Sequence, residues 1–198
     1  ASDALNDMKS RRREQTLNMY AGFSKSFGEK LSLDASLAIE HYNTTVWNQW
    51  DWYPTINLTY MPAAGHVLQL ALSSDKDYPD YWALQDNISY IGGGYSEIHG
   101  NSLLKPSQNY EFQMTYILKS KYIFSAWFNH TKDYETQTLY QSSKRLVEIY
   151  KYLNFDYQQQ AGLQASVPFT IKKWLNSRIT LMGIWHHEKD GDFWDIPF

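Results

Sequence analysis

The stretch LSLDASLAI (residues 31–39) decides the predicted fold, because apolar and polar side chains alternate along it. A period of two places Leu31, Leu33 and Leu37 on one face of a β-strand and Ser32 and Asp34 on the other. The same alternation returns at 68–72, 110–116, 157–167 and 179–186, and more weakly at 17–27, 55–61 and 122–130. We therefore predict an all-β fold, an antiparallel up-and-down meander of about eight long strands.

The connections between these strands alternate in length. Tight connections are predicted at 28–30, 62–65, 119–121 and 168–173, and longer ones at 43–51, 75–107 and 131–154. We interpret 131–154 as two strands that extend beyond a bilayer and turn near Ser142 and Ser143. In a meander every second connection lies at the same end, so one end carries tight turns and the other carries loops. This asymmetry is typical of transmembrane β-barrels, which have short periplasmic turns and long extracellular loops.

We accordingly predict that residues 1–198 are a single segment of a transmembrane β-barrel. In this segment 75–107 is a long extracellular loop and 1–15 is frayed or weakly ordered. If the tight turns are periplasmic, the first strand descends, the eighth ascends, and both ends lie outside. Complete single-chain barrels normally begin and end in the periplasm, so we expect the chain to be a piece of a larger barrel.

The composition fits a protein that contacts lipid on one side and water on the other. The 198 residues are 17% aromatic, with 16 Tyr and 8 Trp, yet the mean hydropathy is −0.56. A wet lumen explains the low hydropathy, and aromatic belts at the two membrane interfaces explain the rings. The predicted belts are Trp47, Trp50, Trp52 and Tyr53 at the loop end, and Tyr116, Tyr122, Phe169 and Trp174 near the tight turns.

Cysteine count and charge exclude other classes of protein. There is no cysteine, which excludes a disulfide-stapled scaffold and a thiolate metal site. The formal net charge is −3, whereas nucleic-acid binders usually carry a basic excess, so no nucleic-acid partner is expected. Alternation alone also suits a soluble sheet protein, so a soluble β-rich carbohydrate-binding module remains the alternative.

Five landmarks follow one another along the sequence: YPTINLTY (53–60), YPDYWAL (78–84), YSE (95–97), GNSLLKP (100–106) and WFNHTKD (127–133). In this order they resemble landmarks of TonB-dependent receptor barrels of the outer membrane. The fourth is similar to a GNP-x-L-x-PE segment of one outer-membrane β-barrel family, with Ser102 in place of its proline and Ser107 in place of its glutamate. The resemblance runs from about residue 16 to 190.

This resemblance implies a barrel of about 22 strands around an N-terminal plug. It implies a receptor in the outer membrane of a Gram-negative bacterium that binds an extracellular nutrient, such as a glycan or siderophore, for import. The implied partners are outer-membrane lipid, the remaining strands and plug of the parent receptor, and a TonB-type energy-coupling protein that acts through the plug. No cofactor is expected.

The candidate ligand-binding residues are aromatic side chains of the long loop. Exposed rings can stack on sugars or flat ligands and offer hydrogen-bonding tips. The candidates are Tyr78, Tyr81, Trp82, Tyr90 and Tyr95. An equally open interpretation is that these rings pack the loop against its neighbours.

No catalytic residue and no metal ligand are predicted. His186 and His187 would face opposite sides of a strand and could not both bind one ion. The glycines at 92–94 lack the Lys-Ser/Thr of a phosphate-binding loop and indicate loop flexibility instead. A β-rich hydrolase using Glu97 with Asp80 is a further alternative, but the spacing does not favour it.

Overall fold

The computed structural model describes residues 13–141, 144–191 and 196–197. Residues 1–12, most of the segment expected to be frayed, lie outside this range, and Gln15 already begins the first strand. Eleven strands lie within the described residues. They are β1 Gln15–Phe27, β2 Leu31–Asn43, β3 Asn48–Tyr60, β4 His66–Asp77, β5 Ile88–Ile91, β6 Ser96–His99, β7 Ser107–Leu118, β8 Tyr122–Gln141, β9 Glu148–Ile171, β10 Leu175–Lys189 and β11 Ile196–Pro197.

Eight of these strands form the predicted antiparallel meander. Their order in the sheet is β1-β2-β3-β4-β7-β8-β9-β10, with the two-residue β11 beside β10. Each long strand contains 12 to 24 residues, enough for a tilted strand to cross hydrocarbon. The sheet is not closed within the described residues, because β1 and β10 do not pair. No helix among those residues has the length and apolar content needed to cross a membrane.

The cross-strand register separates the sheet into an apolar and a polar face. One row across six strands is apolar, and the adjacent row, shifted by one residue, is polar, because the side-chain period of a strand is two. The apolar row is Leu33, Leu58, Leu70, Met114, Ala126 and Leu163. The polar row is Ser32, Thr59, Gln69, Thr115, Ser125 and Gln164.

The sheet has no hydrophobic core of its own. Among the described residues the buried apolar side chains are Ala83, Leu84 and Leu104, and all three lie in the connection between β4 and β7. A soluble sandwich would cover its apolar face with a second sheet about 10 Å away. Here large side chains such as Phe23 and Leu181 stay exposed on that face. An uncovered apolar face across eight strands fits contact with lipid and argues against the soluble alternative.

Aromatic rings form a belt near each end of the apolar face. At the loop end, rings of β7 to β10 follow one another: Tyr110 to His130 at 6.2 Å, His130 to Tyr157 at 5.7 Å and Tyr157 to His187 at 5.8 Å between centroids. Near the tight turns, Tyr116 lies 6.1 Å from His66 and 6.5 Å from Phe124. His130 and His187 thus join the loop-end belt, for which only Trp and Tyr were predicted.

The spacing of the belts matches the thickness of a membrane. On the apolar face of β3, Trp50 lies ten residues from Tyr60. Ten residues span about 33 Å along a strand, and about 25 Å along the membrane normal at the usual tilt of about 40°. About 25 Å is the height of the apolar band on outer-membrane barrels.

Two members of the predicted loop-end belt lie elsewhere. Tyr53 is on the polar face, where its hydroxyl donates to Glu40 at 3.3 Å. Trp47 lies in the turn before β3 and packs near Tyr42 and Tyr78. For Tyr53 the reason is strand parity, which decides the face that a ring occupies, whereas proximity to a strand end indicates only its height. Trp47 precedes the first residue of β3, so its ring is placed by the turn.

The connections differ from the prediction in detail. The connection expected at 43–51 is a four-residue turn at 44–47, because 48–51 belong to β3. At the opposite end, Lys119 and Ser120 both have left-handed φ, as do Lys172 and Lys173. Two successive left-handed residues are what a type I′ hairpin turn requires. The serines expected to turn the extended pair lie outside the described residues, but β8 and β9 do run on to Gln141 and from Glu148.

Candidate functional site

The connection between β4 and β7 folds into a small substructure at the loop end of the sheet. It covers 78–106, slightly less than the predicted 75–107, and it contains the β5–β6 hairpin. Gly92, Gly93 and Gly94 join the two strands with φ of 62°, 72° and 93°. Side chains with a Cβ rarely adopt this conformation, so the triple glycine is needed for the turn itself. We name 78–106 the folded loop.

Strand pairing attaches the folded loop to the long hairpin formed by β8 and β9. Strand β6 runs parallel to the beginning of β9, from Ser96 opposite Glu148 to His99 opposite Lys151. Alternation in sequence could not reveal this pairing, since β5 and β6 have only four residues each.

The end of the folded loop is held by side chains that bond to backbone atoms. Asn101 Nδ2 donates to the Tyr152 carbonyl at 2.9 Å. The Asn154 side chain accepts from the Lys105 amide at 2.7 Å and donates to the Lys105 carbonyl at 2.9 Å. A Cβ on Gly100 would lie 1.8 Å from the Gln85 carbonyl oxygen, so that approach requires glycine. The GNSLLKP landmark is therefore the segment that docks the folded loop against β9.

Glu97 is the most buried charged side chain of the described residues, with 1% of its surface exposed. Its two carboxylate oxygens accept from Arg145 Nη1 at 2.9 Å and Nη2 at 3.3 Å. His99 Nε2 lies 2.8 Å from the same carboxylate. The hydrogen bond with His99 and the Arg145 guanidinium lower the pKa of Glu97, although burial acts in the opposite direction. Glu97 therefore joins the folded loop to the β8–β9 turn as an ionised carboxylate.

The hydrolase alternative finds no support in this geometry. Glu97 is engaged by Arg145 and His99, and its low pKa leaves no proton to donate at neutral pH. Asp80 accepts a hydrogen bond from Trp82 Nε1 at 3.2 Å. The two carboxylates thus have separate structural partners.

Two of the predicted ligand-binding residues pack the folded loop against the sheet. The Tyr78 hydroxyl donates to Asp51 Oδ2 at 3.0 Å, and its ring centroid lies 4.2 Å from that of Tyr42. Burial raises the pKa of Tyr78 above its ordinary value. The hydroxyl of half-buried Tyr81 lies 3.4 Å from that of Tyr42, so Tyr42 connects the pair.

The other three predicted residues present exposed rings. Trp82 is 50% exposed, and its ring lies nearly perpendicular to that of Tyr152 at 5.1 Å between centroids. Tyr90 and Tyr95 are 66% and 69% exposed and flank the triple glycine of the hairpin. The structure therefore divides the five candidates into a packed pair and an exposed trio.

A cavity of about 360 Å³ opens beside the hairpin. Its lining includes Tyr95 and Ser96 from the folded loop, and Leu139, Leu146 and Glu148 from the β8–β9 hairpin. The carboxylate of Glu148 accepts from Ser96 Oγ at 3.4 Å, which leaves a mixed apolar and acidic surface. Leu139 and Leu146 were not among the residues predicted from sequence. The available signal was a leucine within a mostly polar segment, ETQTLYQ (135–141) for Leu139 and SSKRL (142–146) for Leu146.

A half-buried carboxylate lies in the extended part of β8, above the aromatic belt. Burial raises the pKa of Glu135, and the negative charges of Asp80 and Asp77 raise it further. The ionised form of Glu135 therefore destabilises the folded protein, and protonation removes that destabilisation.

The histidines of β10 do not form a metal centre with their neighbours. His186 Nε2 lies 2.9 Å from Glu188 Oε1, whereas His187 stacks on Trp185 on the opposite face. Throughout the described part of the chain there is no group of three or more side chains placed to hold a metal ion.

The comparisons agree with this architecture. The chain matches the model of the outer membrane protein beta-barrel family over residues 6–193. A search of curated proteins returned no match.

Solved structures show the same fold at low sequence identity. The siderophore receptor PirA from Pseudomonas aeruginosa is 13% identical with a TM-score of 0.61, covering 88% of this chain and 37% of that one. The FrpB iron transporter from Neisseria meningitidis is 10% identical with a TM-score of 0.61, covering 92% of this chain and 28% of that one. The copper transporter OprC is 12% identical with a TM-score of 0.67, covering 89% of this chain and 29% of that one.

The chain therefore spans 28% to 37% of the length of these three proteins. The conclusion below follows from the shared fold, from the lipid-facing side of the sheet and from the family match over nearly the whole sequence. This chain belongs to the outer membrane protein beta-barrel family and forms a segment of a barrel in the outer membrane.

Proposed function

We propose that this chain is part of a TonB-dependent receptor that binds a nutrient at the cell surface for import. The observation that carries the proposal is the folded loop, which is anchored to the start of β9 at the loop end of the sheet and presents exposed aromatic rings. The likeness to proteins described as a siderophore receptor, an iron transporter and a copper transporter supports it.

Within this proposal, Trp82, Tyr90 and Tyr95 contact the ligand, and Tyr78 and Tyr81 keep the folded loop in place. The exposed rings, together with the acidic Glu148 near Tyr95, suit a glycan, a siderophore or a similar ligand that has both flat surfaces and hydrogen-bonding groups. The proposed partners are the remaining strands and plug of the receptor and a TonB-type energy-coupling protein.

The proposed orientation can be tested with two single cysteines, because the sequence has none of its own. Ser89→Cys lies in the hairpin of the folded loop and Ser120→Cys in the tight turn before β8, and both serines are exposed. We expect a membrane-impermeant maleimide to label Ser89→Cys on intact cells and Ser120→Cys only after the outer membrane is opened. The reverse pattern, or recovery of the protein in a soluble fraction, would contradict the proposal.

Transport itself can be tested by uptake into cells that make the complete receptor. Suitable labelled probes are a ferric catecholate siderophore, copper(II) and maltoheptaose. We expect one probe to accumulate only when the protein is present and the inner-membrane proton gradient is intact. Tyr95→Ala should weaken that uptake more than Tyr78→Phe, which keeps the packing ring. Uptake that survives collapse of the gradient, or no uptake of any probe, would count against the proposed role.

A further inference from the structure

A groove of about 590 Å³ lies on the lipid-facing side of the sheet, across β8, β9 and β10. Its floor is formed by the small residues Ala126, Ala161 and Gly183, and its walls include the rings of Phe128 and Trp185. The register explains the depression, since Ala161 lies directly between Phe128 and Trp185 in one cross-strand row. A small residue between two large rings leaves an elongated apolar gap in the surface.

The two cross-strand rows above this groove are polar and cationic. The first row is His130, Gln159 and His187, in which Gln159 Nε2 lies 3.3 Å from His130 Nδ1. The second row is Lys132, Tyr157 and Lys189. Apolar, hydrogen-bonding and cationic layers therefore follow one another toward the extracellular end.

The two cross-strand rows above the groove contain two lysines. Neither row contains a carboxylate, and Lys132 is exposed and makes no ion pair within the described part of the chain. Glu188 belongs to the opposite face of β10, where it accepts from Gln158 at 2.9 Å. An anion placed over these rows would meet two lysines and four hydrogen-bonding side chains, those of His130, Gln159, His187 and Tyr157.

We propose that this surface binds a phospholipid of net negative charge in the outer leaflet, with an acyl chain in the groove and the phosphate at Lys132 and Lys189. This inference rests on the proposed orientation, in which the loop end of the sheet faces outward and these rows lie in the outer leaflet. Lys132 is four residues beyond Phe128, which is about 13 Å along the strand and about 10 Å along the membrane normal. One lipid can span that distance from headgroup to acyl chain. The site is independent of the nutrient that the receptor binds.

The test is native mass spectrometry of the complete, delipidated protein in detergent. Dimyristoyl phosphatidylglycerol and dimyristoyl phosphatidylcholine serve as probes, because their acyl chains are identical and only the first has a net negative headgroup. We expect the wild type to retain phosphatidylglycerol preferentially, by about 5-fold for each lysine that contacts the phosphate. A third sample contains inorganic phosphate together with phosphatidylglycerol.

Two pairs of variants separate headgroup from acyl-chain binding. Replacement of both lysines with glutamine, K132Q/K189Q, should abolish the preference, whereas K172Q/K173Q removes the same charge at the opposite end and should keep it. Ala161→Phe fills the groove and should lose both lipids. Ala165→Phe, on the same face of the same strand but outside the groove lining, should retain them.

Circular dichroism confirms that each variant is folded before binding is compared. Equal retention of the two lipids by the wild type would overturn the proposal, and so would a K132Q/K189Q protein that keeps the wild-type ratio. Displacement of phosphatidylglycerol by an equal concentration of inorganic phosphate would show an anion site and refute a lipid site. Loss of binding in Ala165→Phe as large as in Ala161→Phe would remove the groove from the explanation.

Discussion

Arginine at position 72 should be among the most costly substitutions on the apolar face. Leu72 lies opposite Ile56 on β3 and Phe112 on β7. Ile56 is four residues from the belt residue Tyr60, which corresponds to about 13 Å along the strand and about 10 Å along the membrane normal. Because the apolar band is about 25 Å high, Leu72 lies close to the middle of the bilayer.

The expected cost of Leu72→Arg is about 2–4 kcal/mol, the penalty for arginine at the midplane of an outer-membrane barrel. Leu68→Arg on the same face should cost only about 0–1 kcal/mol, because Leu68 lies opposite the belt residues Tyr60 and Tyr116. Gln69→Arg, which points into the lumen, is the matched control and should change stability by less than about 0.5 kcal/mol.

The assay is equilibrium unfolding of the complete protein by guanidinium in lipid vesicles, followed by tryptophan fluorescence and extrapolated linearly to zero denaturant. The critical result is the order in which the three substitutions lower the free energy of unfolding. A Leu72→Arg cost equal to that of Gln69→Arg would refute the assignment of the lipid-facing side. A greater cost at Leu68 than at Leu72 would refute the position of the membrane.

Three further predictions concern packing and charge. Gly162→Ala places a Cβ 2.0 Å from the Trp127 ring and should cost about 1–3 kcal/mol in the same unfolding assay, whereas Gly183→Ala, with open space around it, should be nearly neutral. Because folding lowers the pKa of Glu97, this residue stabilises the folded protein above the ordinary carboxyl range, and that stabilisation is lost as pH falls below it. Amide hydrogen exchange of 88–99, corrected for intrinsic rates, should therefore accelerate on acidification. Glu97→Gln should show fast exchange already at neutral pH. Folding raises the pKa of Glu135, so stability should fall as pH rises through the raised value; thermal unfolding of Glu135→Gln should lack that decline, and an unchanged pH profile would contradict it.

The internal structure of the folded loop could not be predicted from the sequence. Its position and aromatic content followed from composition and from the breaks in alternation. Its internal order did not, because Glu97 and Arg145 are 48 residues apart in the chain and neither belongs to a local pattern. The division of the five aromatic candidates depends likewise on contacts with Tyr42 and Tyr152, which come from distant strands.

The sequence by itself determined an eight-strand meander with two unlike faces, because alternation with a period of two is a local property that each strand carries independently. It also determined which end carries the long loop, since connection lengths can be counted along the chain. The tertiary structure alone decided the rows across the sheet. Register brings Lys132, Tyr157 and Lys189 to one level, and places Ala161 between Phe128 and Trp185. Such rows arise from backbone hydrogen bonds between strands, and a slip in pairing would move each of these side chains to a different neighbour.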